Sequence, residues 1–458
     1  MPSWNRPFTR AAIRAVVTPT VLALVVGLCA VTKAQQANLL NTGAVGGVLI
    51  DPSGMVSNAV LGDLGKLRQM RREIMGDVPE GLARATETRK VSLRRLDETI
   101  RQCRETGKPL PAEILCLYGL QRVHHVLLYP EQHDIVLVGP AEGWKIDDHG
   151  ALVGATTGRP LLLLDDLRVA LRAAGGPVRS VISCSIDPTQ EGLQRLTAHT
   201  KKLRTIGNPE ATALGIEQQL GPQAVSVAGV PDTSHFARVM VAADYRMKRV
   251  SMGHEPAPIN GLTSFLGMMR ATGRGMQNML PRWWLAPDYQ PPLRDADGLA
   301  WELRGTSVKA MAENDFLDAA GVRHQTGRAD PVSQKWAEMM TDRYDELALA
   351  DPVFGQLQNC MDLALVAALI VKEDLTAKAE VGLPMLIESD GLETADLAAP
   401  KQVESKAVLA KKGRNWLIAC GGVEINPWAV VEKSERSDAL AEVRSQAAAQ
   451  SGVERWWD

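Results

Sequence analysis

The densest grouping of side chains able to hold a ligand is Arg282-Trp283-Trp284, with Asp288 and Tyr289 a few residues further on. Flat aromatic rings beside charged groups stack on sugars or peptides and attract cations. Arg282, Trp283, Trp284 and Tyr289 are therefore the candidate ligand-binding residues. Two adjacent indoles also bury a large apolar area, so the competing reading is a brace between two domains. The brace is the expectation.

Motifs for catalysis are missing. The sequence has no GxSxG elbow, no HExxH, no GxxxxGK[ST] loop and no complete GxGxxG. His254-Glu255 runs into Pro-Ala-Pro, which cannot continue the helix a zinc protease requires. His124, His125, His133 and Asp134 flank two candidate strands. Adjacent His124 and His125 would point to opposite faces of a strand, so only one of them could join His133. Asp165-Asp166 stands at the start of a helical pattern, where carboxylates complement the helix dipole. No catalytic residue, metal site or cofactor is expected. The alternative is a hydrolase acting on an envelope polymer, which would need His133, Asp134, Asp166 or Glu255 to converge in one cleft.

The elements that must position these residues can be read from spacing. Leu93, Leu96, Ile100 and Cys103 share one helical face within a stretch, 63–122, that reads as helical. Val126–Tyr129 and Ile135–Val138 read as strands joined across Pro130–Asp134. From 178 to 253 the pattern alternates: a β-branched run to Ile186, a helix from Pro188, a helix near 209–219 and a strand from Val225 to Val230. A helix capped by Ser234 follows, then a strand over Arg249–Met252. Such alternation predicts a layered α/β unit. Three Asp-rich, Gly-closed segments (51–54, 147–150, 295–298) read as hairpin turns; they lack the acidic ladder and distal Glu of a calcium loop. Six prolines in 254–292 mark a domain boundary. Beyond it come a short β portion, the very apolar helix Val353–Val371, two short strands and a final helix.

The N-terminus carries an address. Met1–Arg14 is polar and basic, Ala15–Val31 is uncharged and apolar, and Thr32-Lys33-Ala34 ends in a small residue before Gln35. This is the pattern of a secretory signal peptide cleaved near Ala34, with an uncleaved membrane anchor as the alternative. Cys29 would leave with it; Cys103, Cys116, Cys184, Cys360 and Cys420 remain, an odd and sparse set that reads as buried free thiols rather than a disulfide scaffold. Composition is that of a globular protein, 45% apolar and 23% charged. The whole chain has a net charge of −2, and the first 34 residues hold four positives and no acid, so the remainder stands at −6. Nucleic-acid binding, which needs a clustered basic surface, is excluded as an expectation.

Several long blocks resemble an exported planctomycete family of unknown function, number 1598. They are GGVLIDPSGMV (46–56), YPEQHDIVLVGPAEGW (129–144), SCSIDPTQEGLQRL (183–196), HFARVMVAADYRMKRVSMG (235–253), PRWWLAPDYQPPLRDADGLAWELRG (281–305) and SQKWAEMMTDRYDEL (333–347). The resemblance runs from about 44 to 372. It implies a secreted or cell-envelope protein and no particular reaction. The expected protein is mixed α and β (α+β with a layered α/β unit), with no transmembrane span after the signal segment. Its expected divisions are a signal peptide (1–34), an N-terminal hairpin, helical segment and layered domain (35–253), a Pro/Trp-rich boundary (254–292) and a smaller β plus helical domain (293–458). Exported to the periplasm, envelope or medium, it would be a binding or structural component, with an envelope protein or polysaccharide as partner.

Overall fold

Val126, Leu128, Ile135 and Leu137 alternate with Leu127, Tyr129, Val136 and Val138, so each face of this strand pair is apolar and must be covered. A computed structural model shows how. It describes residues 44–45, 48–50, 56–58, 68–69, 71–202, 208–272, 280–388, 399–409 and 416–449. The signal-peptide segment 1–34, the 51–54 turn and the 273–275 break lie outside the described residues.

The chain is mixed α and β. A six-stranded sheet runs in the order Glu435–Arg436, Leu293–Arg294, Ala300–Glu302, His125–Tyr129, Asp134–Ala141 and Thr86–Ser92. One face joins the main core, and the other is covered by the C-terminal helix Ala439–Ala449 through Leu440. The second sheet has seven strands: Arg323–Gln325, Gly305–Leu317, Leu280–Tyr289, Cys420–Ile425, Ile182–Pro188, Gln223–Ala228 and Gln402–Val403. All its pairings are antiparallel except that of Leu280–Tyr289 with Cys420–Ile425. Helices His235–Ser251 and Pro331–Asp342 pack on its inner face. Helices Gln190–Lys202 and Pro209–Leu220 cover one end of its outer face with Leu193, Leu196, Ile216 and Leu220.

Several expectations change here. The 63–122 stretch contains the strand Thr86–Ser92, which Ser92 ends by capping the helix Leu93–Thr106. Arg249–Met252 is not a strand; the Ser234-capped helix continues to Ser251. The layered α/β unit expected here stands, with strands Ile182–Pro188 and Gln223–Ala228 paired antiparallel and helix His235–Ser251 packed on the first of them. The proline-rich 254–292 segment supplies Leu280–Tyr289, an inner strand of the seven-stranded sheet, so strands from both sides of the expected boundary share one sheet. Two predicted turns form as hairpins: Asp147 accepts from the backbone N–H of His149 and Ala151, and Asp295 from those of Leu299 and Ala300.

The core helix Pro352–Lys372, opened by Asp351 and Pro352, lies between the helices Leu164–Gly175 and His235–Ser251. At 21 residues it is long and apolar enough to cross a membrane, yet its apolar stretch is 100% buried inside the protein. The role of a core helix accounts for both properties. Cys116, Cys184, Cys360 and Cys420 are buried free thiols, and Cys103 is half-buried and free.

Helix His235–Ser251 also carries a charge pair into the core. Lys248 Nζ donates to Asp244 Oδ2 (2.8 Å), to the Ile186 carbonyl (2.8 Å) and to the Gly421 carbonyl (3.2 Å), which uses all three of its hydrogens. Asp244 Oδ1 is buried without a hydrogen-bond partner. Burial pushes the Asp244 carboxyl up to about 6, against the pull of Lys248. A raised folded-state value means that protonated Asp244 favours folding, an effect present below about pH 4 and lost as pH rises through about 6. Unfolding free energy measured by urea titration at stepped pH should therefore decline across that window, and Asp244→Asn should flatten the decline.

Candidate functional site: one face of the Trp strand

Strand alternation divides the four candidate residues. Along Leu280–Tyr289, Trp283 and Leu285 turn inward, while Arg282 and Trp284 turn to the outer face. Trp283 is fully buried, with the Phe265 ring edge-on at 4.9 Å and the Trp336 ring at 5.2 Å. Trp336 lies beyond the 254–292 segment and Phe265 within it, so this indole packs helix Phe265–Ala271 against helix Pro331–Asp342. The backbone opposite is equally tight: Gly421 has φ 140°, and a Cβ there would lie 1.6 Å from the Trp283 carbonyl oxygen. Only glycine fits.

On the outer face the Arg282 guanidinium lies 5.1 Å above the half-buried Trp284 ring, and Arg282 approaches Glu313 at 3.8 Å. Met311 is the cross-strand partner of Trp284 and is 37% exposed. Across the sheet the register continues through Gly422, Ser185 and Ser226, a lane of small residues in which the two serine hydroxyls share a hydrogen bond of 2.8 Å. One step along, Ala286 pairs with Lys309. At the strand's end a cleft of about 300 Å³ opens against helix Pro427–Val431, lined by Ala286, Tyr289, Lys309, Glu424, Asn426 and Lys433. That volume is at the lower end of small-ligand sites. Its lining pairs two ammonium groups with a carboxylate and an amide, a mixed-charge surface suited to hydrogen-bonding a polar ligand.

Tyr289 does not join Trp283 and Trp284 in one plane of rings. While it lines the cleft, its hydroxyl donates to Asp362 Oδ1 at 2.5 Å on the core helix. Burial, then the Asp362 carboxylate, holds this phenol well above its ordinary pKa. Asp362 is fully buried and gathers three more donors: Arg122 through Nε (2.5 Å) and Nη2 (3.1 Å), Ser307 Oγ (3.0 Å) and the Val123 N–H (3.4 Å). Ser307 occupies the left-handed region at φ 74°, a cost that the Asp362 and Arg122 contacts offset. The knot ties the two largest sheets to the core helix, and Tyr289 is its member that lines the cleft. Sequence reasoning passed over Asp362, although a single acid inside an apolar helix was the available signal.

The groups required by the hydrolase alternative are engaged separately. His133 is exposed and 3.8 Å from Glu380. Asp134 accepts from Ser92 Oγ (2.6 Å) and the Arg94 N–H (3.2 Å), sitting at the start of a helix. Glu255 pairs with Arg246 and Arg249. Asp166 meets His235 Nδ1 at 2.9 Å, both buried, on facing helices. Thus Asp166 is a buried partner as well as a first-turn carboxylate, and His235 was missed because it reads as an ordinary residue after the Ser234 cap. His124 and His125 are half-buried, and burial lowers the pKa of each. Among the described residues no group of three or more His, Cys, Asp or Glu side chains is placed to hold a metal ion.

By fold this is a mixed α/β protein whose two largest sheets meet at a buried core helix through Asp362. Residues 184–265 match the family model DUF1598, described as a protein of unknown function, and the chain resembles that family there. The matched stretch runs from the strand Ile182–Pro188 to Phe265 and includes the whole helix His235–Ser251. No curated protein and no solved structure matches the chain.

Proposed function

We propose that this is an exported binding component of the cell envelope, and that the outer face of the Trp strand holds an envelope polysaccharide. The observation that carries the reading is the continuity of that face: Trp284 with Arg282, the Gly422–Ser185–Ser226 lane, and the mixed-charge cleft at its end. Rings, hydroxyls and both signs of charge are the groups that a sugar polymer engages by stacking and hydrogen bonding. Export is supported by the basic, apolar and small-residue pattern of 1–34.

Two measurements test it. Purified envelope polysaccharide should retain the wild-type chain, and Trp284→Ala and Lys309→Ala should lose retention while melting within a few degrees of wild type, as partly exposed positions do. Undiminished retention of Trp284→Ala defeats the polysaccharide reading. Mass spectrometry of the native protein should find Gln35, or a close neighbour, as the first residue; a chain that keeps Met1 and sediments with membranes supports the anchor instead.

A further inference from the structure

The cleft at the end of the outer face holds charges that the fold leaves free. At about 300 Å³ it suits a single sugar ring. Glu424 and Lys433 both line it, and neither has a hydrogen bond or ion pair among the described residues. Lys309 stands 3.9 Å from Asp288 Oδ1, beyond hydrogen-bonding distance, with the two side chains 40% and 38% exposed. Asn426 uses its Oδ1 to cap the Ala429 N–H at 3.2 Å, which leaves its amide N–H groups to donate.

Strand register explains why these opposite charges do not neutralise each other. Lys309 is the cross-strand partner of Ala286. On the other side Leu285 pairs with Val423, which brings Glu424 alongside Ala286 one step further on. The Lys309 and Glu424 backbones are thus two strand spacings apart, about 10 Å, with the small Ala286 side chain as the floor between them. Lys433 reaches the cleft from beyond helix Pro427–Val431. Two ammonium groups against one carboxylate give the lining a positive surplus. That surplus is local, since the whole chain has a net charge of −2 and offers a polyanion no general attraction. A lysine brings donors only, and its strongest partner is an anion; Glu424 brings acceptors only and suits hydroxyl groups.

We infer that the cleft selects an acidic sugar residue, its carboxylate or sulfate set against Lys309 and Lys433 and its hydroxyls against Glu424 and Asn426. The inference rests on the polysaccharide reading and adds to it that the polymer is anionic. Ala286 lies two residues past Trp284 on the same strand face, about 7 Å along, so the sugar stacked on Trp284 and the acidic residue in the cleft belong to one chain. Pro287, Pro291 and Val430 supply an apolar wall for the C–H groups of the ring.

The test is retention of the full chain on purified envelope polysaccharide in three forms: untreated, with its carboxyl groups reduced to alcohols, and with its sulfate esters removed. One of the two treatments should weaken retention about tenfold, the factor for losing a hydrogen bond to a charged group, and the treatment that does so identifies the anion. Lys433→Ala should weaken retention on the untreated polymer by a similar factor and be indifferent to that treatment, with an unchanged melting temperature because the residue is exposed. Lys335→Ala, at an exposed position on helix Pro331–Asp342, should be retained like wild type, which sets aside bulk charge attraction. Equal retention on all three forms, undiminished retention of Lys433→Ala, or an equal loss for Lys335→Ala would each overturn the inference. Retention that still depends on Trp284 would then leave the polysaccharide reading in place. If the untreated polymer retains no wild-type chain, that reading falls and the inference falls with it.

Discussion

Trp283→Ala is expected to destabilise the protein by about 3–5 kcal/mol, the range for truncating a fully buried large aromatic. The side chain has no exposed surface and stands between Phe265 and Trp336, so removal opens a cavity bordered by three elements distant in sequence. Relaxation around that cavity is restricted. The neighbouring backbone at Gly421 already approaches the Trp283 carbonyl as closely as a glycine permits, and strands pair with Leu280–Tyr289 on both sides. The indole N–H has no hydrogen-bond partner, so the loss is one of packing alone. Trp283→Phe, which keeps a ring and removes the unpaired donor, should cost distinctly less. Trp284→Ala supplies the contrast: one residue along, on the outer face, its loss should stay near 1 kcal/mol. Urea unfolding of the three variants measures all of this, and similar small losses for Trp283→Ala and Trp284→Ala would remove the brace.

Asp362→Ala should be comparably severe, about 3–5 kcal/mol, for an electrostatic reason. The substitution leaves the Arg122 guanidinium, whose side chain is only 13% exposed, without its counter-charge, and strips acceptors from Ser307 and Tyr289 at once. Charge rather than volume dominates, so the double variant Arg122→Met/Asp362→Leu should recover much of the loss by replacing the pair with apolar groups of similar size. A double variant as unstable as the single would mean that the knot acts through geometry instead. Because Tyr289 also lines the cleft, Asp362→Ala should weaken polysaccharide retention, whereas the rescued double variant, still lacking the acceptor for Tyr289, should remain weak.

Much of the local structure was legible. Leu93, Leu96, Ile100 and Cys103 announced their helix, Ser234 its cap, and the Asp-rich segments at 147 and 295 their hairpins, because each depends on contacts within a few residues. Prolines misled at 254–292. Pro281 and Pro287 suggested a linker, since a residue without an N–H interrupts a ladder, yet the parallel pairing with Cys420–Ile425 runs only from Arg282 to Leu285, between them. The strand therefore exists where its neighbour needs no proline N–H, a fact that resides in a partner more than a hundred residues away. Thr86–Ser92 was hidden for the same reason: its Thr-Glu-Thr-Arg-Lys start has no apolar alternation, and its pairing with Asp134–Ala141 provides the order.

For the candidate site, residue types pointed to Arg282, Trp283, Trp284 and Tyr289, and their spacing could not assign them to one surface. Once the segment is a strand, a period of two sends Trp283 inward and Trp284 outward, and the bulge at Asp288/Tyr289 lets Tyr289 reach Asp362. The sequence by itself determined the α/β class, the helix starts and turns, the free thiols and the chemically able residues, all of which follow from composition or from neighbours along the chain. Only the tertiary structure decided that one sheet spans the expected boundary and that Asp362 gathers Arg122, Ser307 and Tyr289, because sheet pairing and burial of charge are set by residues far apart in sequence and close in space.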